Sequence, residues 1–388
     1  MNGKSSRDHL QGAAQPLFSL RMKGLILSVA MCLVLVRAHA DPDNVSVALE
    51  KIRDEHSIPG LAAAVMDEGK LVAFGATGMR SAGRMVAVML DDKWHLGSCT
   101  KSMTASVAAM LVEDGRIRWN TTLGEIFPDE LEEMDHAWRD VTLELLLTHR
   151  GGAPRDPPKD LYAVALKQEG EPKQQRREFV AGLLRKPPAK PPGTHFIYSD
   201  CGYSIAGVML ERASGEAWED LMRKRLFDPL GLKTAGFGAP AAPGKIDQPW
   251  GHRGYEPPFK PVPPGPDADY PPVFGPAATV HMSIADFAKY AQWHVDGARG
   301  DCRLLKAASF HKLHTPADGQ EYALGWCVTK RRWAGGTALM HSGDNNMFRA
   351  VMWLGPRENT CFVAACNADN WEAIEACDDA VRMLINKY

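Results

Sequence analysis

The sequence predicts an α+β fold, an α/β sandwich in which one antiparallel sheet is built from both chain ends and flanked by helices, with a mostly helical lobe inserted between. Three observations carry that expectation. Apolar, β-compatible runs lie near the start, at Leu61 to Asp67 and Leu71 to Ala76, and return near the end, at Tyr322 to Thr329, Ala338 to His341, Phe348 to Leu354 and Thr360 to Cys366. From about Glu125 to Thr234 the apolar spacing is helical and strand signal is almost absent. The closing stretch, Trp371 to Lys387, reads as an amphipathic helix with Ile374, Cys377, Val381, Leu384 and Ile385 facing inward. Residues 41–388 then form one domain, its sheet part at about 45–124 and 275–388 and its helical lobe at about 125–274.

Residues 1–40 read as an extension and an export signal. Arg21 and Lys23 precede an apolar run from Leu25 to Val36, and Ala38-His39-Ala40 offers a small-x-small cleavage site before Asp41. The run is shorter than the about 20 apolar residues that span a bilayer. Cleavage near Ala40 would release a periplasmic or secreted protein, with membrane contact only if the segment stays uncleaved. Whether translation starts at Met1 or Met22 stays open.

Along the rest of the chain, Glu68-Gly69-Lys70 separates the first two runs as a hairpin turn. Leu96-Gly97-Ser98-Cys99-Thr100-Lys101 opens a helix that runs to Asp114 and stops at Gly115, with Ser98 as its N-cap and Met103, Val107, Met110 and Leu111 on one apolar face. Val141 to His149 is helical and ends before Gly151-Gly152, which makes His149 a satisfied structural histidine at a helix end. Phe179 to Arg185 and Ser204 to Ala213 are the clearest apolar helical stretches of the lobe. Lys186 to Pro192 and Pro240 to Pro272 are loops, because proline lacks an N–H and fixes φ. Ser283 to Val295 is helical again.

An apolar fraction of 45% with 24% charged residues is that of a soluble globular protein. Lysine and arginine number 45 against 47 acidic residues, so no overall field recruits nucleic acid or anionic lipid, and the expected partner is a small-molecule ester, amide or peptide substrate. No C-x-x-C pair occurs among the 8 cysteines, which argues against a zinc ribbon or a thioredoxin-type motif. Signal cleavage would remove Cys32 and leave an odd number, at least one of them unpaired in a monomer. His311 and His314 have no acidic or cysteine ligands nearby and read as surface residues. Neither metal nor cofactor is expected.

Three short motifs carry chemistry. Ser98 and Lys101 are three residues apart on a helix, where side chains meet at roughly 5–6 Å between Cβ atoms. A serine hydroxyl is a weak nucleophile until a base takes its proton, and a lysine can do so if desolvation lowers its pKa. The helix N-terminus also presents N–H groups to an oxyanion. Cys99 faces another side of the helix and should pack into the core. The second motif is Phe196-Ile197-Tyr198-Ser199-Asp200-Cys201-Gly202-Tyr203, in which a tyrosine beside a cationic lysine would be held partly as phenolate. The third is His341-Ser342-Gly343-Asp344 at a strand end, where glycine permits close backbone approach and histidine can titrate. Each alone matches many unrelated helices and strands; the order and spacing of all three is what counts.

Together the motifs resemble those of the serine β-lactamases and penicillin-binding proteins, and most closely the class C β-lactamase-like branch, which includes esterases and D-aminopeptidases. That branch reads Y-x-N at the second motif and K-T-G or H-x-G at the third; here they stand as Tyr198-Ser199-Asp200 and His341-Ser342-Gly343. The resemblance runs from about Val47 to the C-terminus and takes in Pro59-Gly60-Leu61, Leu146-Leu147-Thr148-His149 and Ser283-Ile284-Ala285-Asp286. It implies a β-lactamase/transpeptidase-like fold and a serine hydrolase, with Ser98 as acylated nucleophile, Lys101 as its proton partner and Tyr198 as base or proton shuttle. Which of Lys101 and Tyr198 is the base stays open. The resemblance further implies an oxyanion hole from the backbone N–H groups of Ser98 and Asp344, and places Asp200, His341, Ser342, Gly343 and Asp344 against the substrate.

Asp200 departs from the family asparagine, replacing an amide that can donate by a carboxylate that cannot. That leaves a second reading, a binding protein that keeps the pocket but has lost turnover. His341 stands where many relatives carry lysine. An unperturbed histidine, with pKa near 6.5, would be protonated below about pH 6 and would then favour carboxylate-bearing substrates.

Overall fold

Glu68 and Gly69 take left-handed backbone conformations, with φ of 48° and 76°, and so close the tight hairpin expected there. The computed structural model describes residues 41–388, and the export-signal and start-site expectations at residues 1–40 lie outside the described residues. In chain order the strands are β1 (Asp43–Asn44), β2 (Gly60–Asp67), β3 (Lys70–Gly78), β4 (Lys93–His95), β5 (Gly236–Phe237), β6 (Gly251–Arg253), β7 (Lys260–Val262), β8 (Val280–Ser283), β9 (Cys327–Arg331), β10 (Gly336–Asp344), β11 (Arg349–Gly355) and β12 (Thr360–Cys366). Seven of them form the main sheet in the order β1-β3-β2-β12-β11-β10-β9. All its pairings are antiparallel except β1 with β3. β2 pairs with β12, Leu61 opposite Cys366 and Asp67 opposite Thr360, so the two ends of the chain meet in the middle of the sheet.

The period-2 alternation of strands sends side chains to two separate cores. On one face Leu61, Ala63 and Val65 of β2 join Phe362 and Ala364 of β12 beneath the helices Ser46–Glu55 and Trp371–Lys387. On the other, Ala62, Ala64 and Met66 join Cys361, Val363 and Ala365 against the helix Ile284–Arg299 and the rest of the molecule. Ser283 caps that helix by accepting the Asp286 N–H at 3.3 Å.

The lobe is helical as expected, with Leu143–Leu147, Pro172–Leu184 and Asp200–Ser214 among its helices. The Pro240 to Pro272 segment is mostly irregular, with one short two-stranded ribbon, β6 with β7, that takes up Pro261 at its margin. Four elements differ from expectation. Helix Ser46–Glu55 and strand β1 went unread: the helix has no side-chain cap and no acidic first turn, and the strand is two residues long. β9 starts at Cys327 rather than Tyr322, because Gly325 turns the chain with φ 78° against the Ser102 backbone. In the C-terminal helix the inward stripe is shifted onto Ala373, Ala376, Cys377, Ala380, Val381 and Leu384, leaving Ile374 and Ile385 half-buried.

Candidate active site

β4 and β8 deliver the first motif. Strand β4 runs into a 3-10 turn, Gly97–Cys99, which continues as the helix Thr100–Glu113. Every residue of that helix from Thr100 to Leu111 is buried, so the expected single apolar face is wrong: the helix is surrounded by core. Its polar residues are therefore internally bonded; Thr104 Oγ1 donates to Pro276 O at 2.7 Å and Ser106 Oγ to Ser102 O at 2.8 Å. Ser98 is not the helix cap. Cys99 stands at that position without a capping bond, its thiol donating to His341 O at 3.5 Å, which leaves the Ser98 hydroxyl to Lys101.

Lys101 Nζ donates to Ser98 Oγ at 2.9 Å, to Asp200 Oδ1 at 2.6 Å and to Ala277 O at 3.2 Å. An ammonium group has three N–H donors, and all three are spent. Nζ also lies 4.6 Å from the centre of the Tyr198 ring and 5.6 Å from that of Tyr203. Burial works to lower the Lys101 pKa, but the Asp200 carboxylate, together with Tyr198, outweighs it and the net shift is upward. Desolvation alone would have given the neutral amine; with Asp200 beside it the side chain is an ammonium. Cys99 is fully buried, and desolvation raises its thiol pKa. It packs in the core, as its register predicts.

The third motif reaches Ser98 through two glycines. A Cβ on Gly343 would stand 2.2 Å from Leu96 O and 2.5 Å from Ser98 N, and one on Gly97 would stand 2.3 Å from Asp344 N. Only glycine at both positions lets β10 cross the nucleophile turn this closely. The crossing lays the backbone of Gly343 and Asp344 directly against that of Gly97 and Ser98. Asp344 pairs with Arg349 at 3.5 Å, and the same guanidinium reaches Asp369 at 3.2 Å. Burial, with Asp344 as a second cause, pushes the Asp369 carboxyl up to about 6.

His341 does not behave as an unperturbed histidine. Its ring is buried, Nδ1 donates to Ser342 O at 2.7 Å, and Nε2 accepts the Tyr322 hydroxyl at 3.0 Å. Desolvation first, then the Lys101 charge, lowers its pKa to about 3. The expected protonation below pH 6 is therefore corrected: the ring is neutral throughout the usual assay range. Ser342, by contrast, is exposed beside it.

Tyr198 reaches the same place from the lobe. Its ring lies against Lys101, and the centroid of the His341 ring is 6.4 Å away. Burial raises its pKa against the opposing pull of Lys101, so the net shift is upward and the hydroxyl keeps its proton, contrary to the partly ionised form expected. Asp200 follows as the first residue of the helix Asp200–Ser214, where a carboxylate is favoured by the helix N-terminus.

All eight expected site residues thus gather around Ser98, and sequence reading missed several others. His149 stacks on Tyr198 with ring centroids 4.3 Å apart. Tyr322 holds His341. Tyr270 faces the acidic side: burial first, then Asp344, Asp200, Asp369 and Asp269, raise its pKa. His314, read as a surface residue, is tucked in with Nε2 2.9 Å from His294 Nδ1, whereas His311 is exposed. None of these carried a local signal, because each is brought in by tertiary packing.

A mixed sheet-and-helix sandwich with a serine at the foot of a fully buried helix, a lysine one turn on and a glycine-crossed strand beside it is the architecture of the β-lactamase/transpeptidase fold. The chain belongs to the Beta-lactamase family, whose profile matches residues 45–387. It is 30% identical over 299 residues to penicillin-binding protein 4 of Amycolatopsis lactamdurans, covering 75% of this chain and 73% of that one. An unguisins hydrolase from Aspergillus campestris is 26% identical over 345 residues, 84% of this chain and 61% of the relative. Among solved structures, the octameric penicillin-binding protein homologue from Pyrococcus abyssi superposes with a TM-score of 0.70 at 20% identity, covering 88% and 76% of the two chains.

Proposed function

We propose that the protein is a serine acyl hydrolase that forms an acyl-enzyme on Ser98 and cleaves an ester or amide. The observation that carries this reading is the buried Lys101 ammonium, 2.9 Å from Ser98 Oγ and counter-charged by Asp200. With its three donors spent, Lys101 orients the serine oxygen and steadies negative charge near it. The Ser98 proton passes to the Tyr198 oxygen in the minor fraction of molecules whose phenol has first released its proton to solvent, a phenolate that the Lys101 ammonium steadies. As Ser98 Oγ bonds to the substrate carbonyl carbon, the carbonyl oxygen becomes an oxyanion held by the N–H groups of Ser98 and Asp344. Tyr198 returns the proton to the departing alcohol or amine. Water attacks the acyl carbon by the same route in reverse, giving up a proton to Tyr198, and the acid leaves as Ser98 recovers its hydrogen.

The substrate preference follows from charge. Lys101 is neutralised by Asp200, Arg349 by Asp344 and Asp369, and His341 is uncharged, so these groups offer no free cation, among the described residues around Ser98, to hold a substrate carboxylate. Neutral esters and amides are the favoured class, and compounds that carry an acid group beside the scissile bond are poor substrates.

Intact mass after incubation at neutral pH tests the reading. A fluorophosphonate should add once, at Ser98, while a penicillin, which bears a carboxylate, should add more slowly. Absence of an adduct with either reagent would favour a protein that binds without turnover, for which Asp200 is the motivating residue.

A further inference from the structure

The Tyr198 segment has no regular structure of its own. Residues 186–199 run as irregular chain, yet they are pinned at regular intervals by the turn that follows the helix Leu143–Leu147. Ala189 N–H donates to Gly152 O at 2.9 Å, Gly193 N–H to Arg150 O at 2.8 Å and Ile197 N–H to His149 O at 2.8 Å. Ser199 N–H donates to the His149 ring at Nδ1, 3.1 Å away, and Ser199 Oγ donates to Pro154 O at 2.6 Å. His149 therefore holds the residue before Tyr198 with its carbonyl and the residue after it with its imidazole. Its ring covers the Tyr198 ring at 4.3 Å and 39°.

That two-sided grip requires an uncommon backbone. His149 has φ 59°, the left-handed region that a non-glycine residue enters only when the surroundings impose it. In this conformation carbonyl and ring turn toward the same segment. Because Nδ1 accepts, the neutral ring carries its proton on Nε2, and that nitrogen is buried without a hydrogen-bond partner. Gly152, at φ 79°, continues the turn; a Cβ there would stand 2.4 Å from Lys190 O.

We propose that His149 is the positioning residue for Tyr198: it fixes the phenol oxygen over Ser98 and Lys101 by clamping Ile197 and Ser199 and stacking on the ring. The proposal rests on the acyl-transfer reading above. The hydrogen bonds of His149 to this segment go to Ile197 and Ser199, and it acts on the reaction only through Tyr198. The sequence marks it as nothing more than a histidine near a helix end.

The test is a double-mutant cycle on hydrolysis of a neutral nitrophenyl ester, with active sites counted by fluorophosphonate titration so that misfolded protein drops out. His149→Ala should lower kcat by about 100-fold with KM little changed, the scale of a misplaced catalytic group. In a Tyr198→Phe background the same change should cost less than about 3-fold, because the two act as one unit. His149→Asn, which tolerates left-handed φ and offers an oxygen near the place of Nδ1, should recover most of the loss, whereas His149→Gly, which relaxes the backbone without an acceptor, should not. Equal losses in both backgrounds, or Gly restoring activity as well as Asn, would overturn the proposal. Failure of the acyl-transfer reading looks different: the wild type itself would take up no fluorophosphonate.

Discussion

Ser98 sits where a strand, a 3-10 turn and a buried helix meet, and β10 crosses it through Gly343; Tyr198 sits on irregular chain held by hydrogen bonds from the turn at His149. The nucleophile side is fixed by backbone in van der Waals contact with backbone. The Tyr198 side is fixed by a handful of hydrogen bonds, each worth about 1 kcal/mol net. A methyl added on the first side has nowhere to go, while one added to the loop of the second, away from the His149 anchor, meets open space. The two sides of one pocket should therefore respond to an added methyl on different scales.

The largest effect should come from the nucleophile itself. Ser98→Ala is expected to lower ester turnover by about 1,000-fold or more, while Cys99→Ala, whose buried thiol faces the core, keeps turnover within a few-fold. Activity in Ser98→Ala with loss in Cys99→Ala would exchange their roles. Next, Gly343→Ala puts a Cβ 2.2 Å from Leu96 O and should cost activity by about 100-fold, with a lower Tm, since backbone cannot yield as a side chain can. Gly193→Ala, on the Tyr198 side, has φ 79° but open space around the new methyl, so it should cost only about 1 kcal/mol of stability and little activity. Equal damage from the two glycine changes would erase the proposed contrast.

Asp200→Asn acts where the two sides meet. Removing the carboxylate leaves desolvation as the leading influence on Lys101, so its pKa falls and more of it is neutral at pH 7. Because the mechanism needs the Lys101 ammonium, the alkaline limb of the kcat profile should move down by at least about one pH unit, about 10-fold in rate on that limb. KM for a carboxylate-bearing ester should fall relative to a matched neutral ester. A profile that stays in place would mean Lys101 does not titrate in the reaction.

The smallest expected change in activity is with pH itself. His341, lowered to about 3, stays neutral from pH 5 to 8, so the KM ratio of anionic to neutral esters should be flat across that range. Stability should not be flat. His252 and His281, lowered to about 4, and His314 and His341, lowered to about 3, bind protons in the unfolded chain near pH 6.5 before they do so in the fold. Their contribution is complete above pH 6.5 and is lost as pH falls toward 4 and 3, so Tm should be level above pH 6.5 and decline below it. A Tm that holds from pH 7 to pH 4 would place those histidines in contact with water.

The longer strands of the main sheet were legible because each is a run of β-compatible residues with a clear turn after it; β12 has the bounds its sequence suggests. The three motifs were legible because their chemistry is local, Lys101 being one turn from Ser98. What the sequence hides is charge state. Lysine, tyrosine and histidine each carry a textual pKa expectation, and all three were reversed or displaced by the tertiary environment: Asp200 for Lys101, burial for Tyr198, and burial with the Lys101 charge for His341. His149 is hidden for a related reason, since its role depends on a backbone conformation that no composition rule assigns to histidine.

The pairing of β2 with β12 has a consequence for how the protein is made. Residues 60–67 leave the ribosome long before their central partner, residues 360–366. Pairings between such distant segments close slowly, because the loop between them must be ordered first. Until then β2, with its Leu61, Ala63 and Val65, stays an unmatched edge, the kind of surface that chaperones cover and that aggregates when they do not. Ser98 and Lys101 are joined to that unfinished sheet by the Gly343 crossing, on a strand translated late as well. A ribosome stalled before β10 has emerged would therefore carry a chain containing Ser98, Lys101 and Tyr198 without the strand that crosses the nucleophile turn.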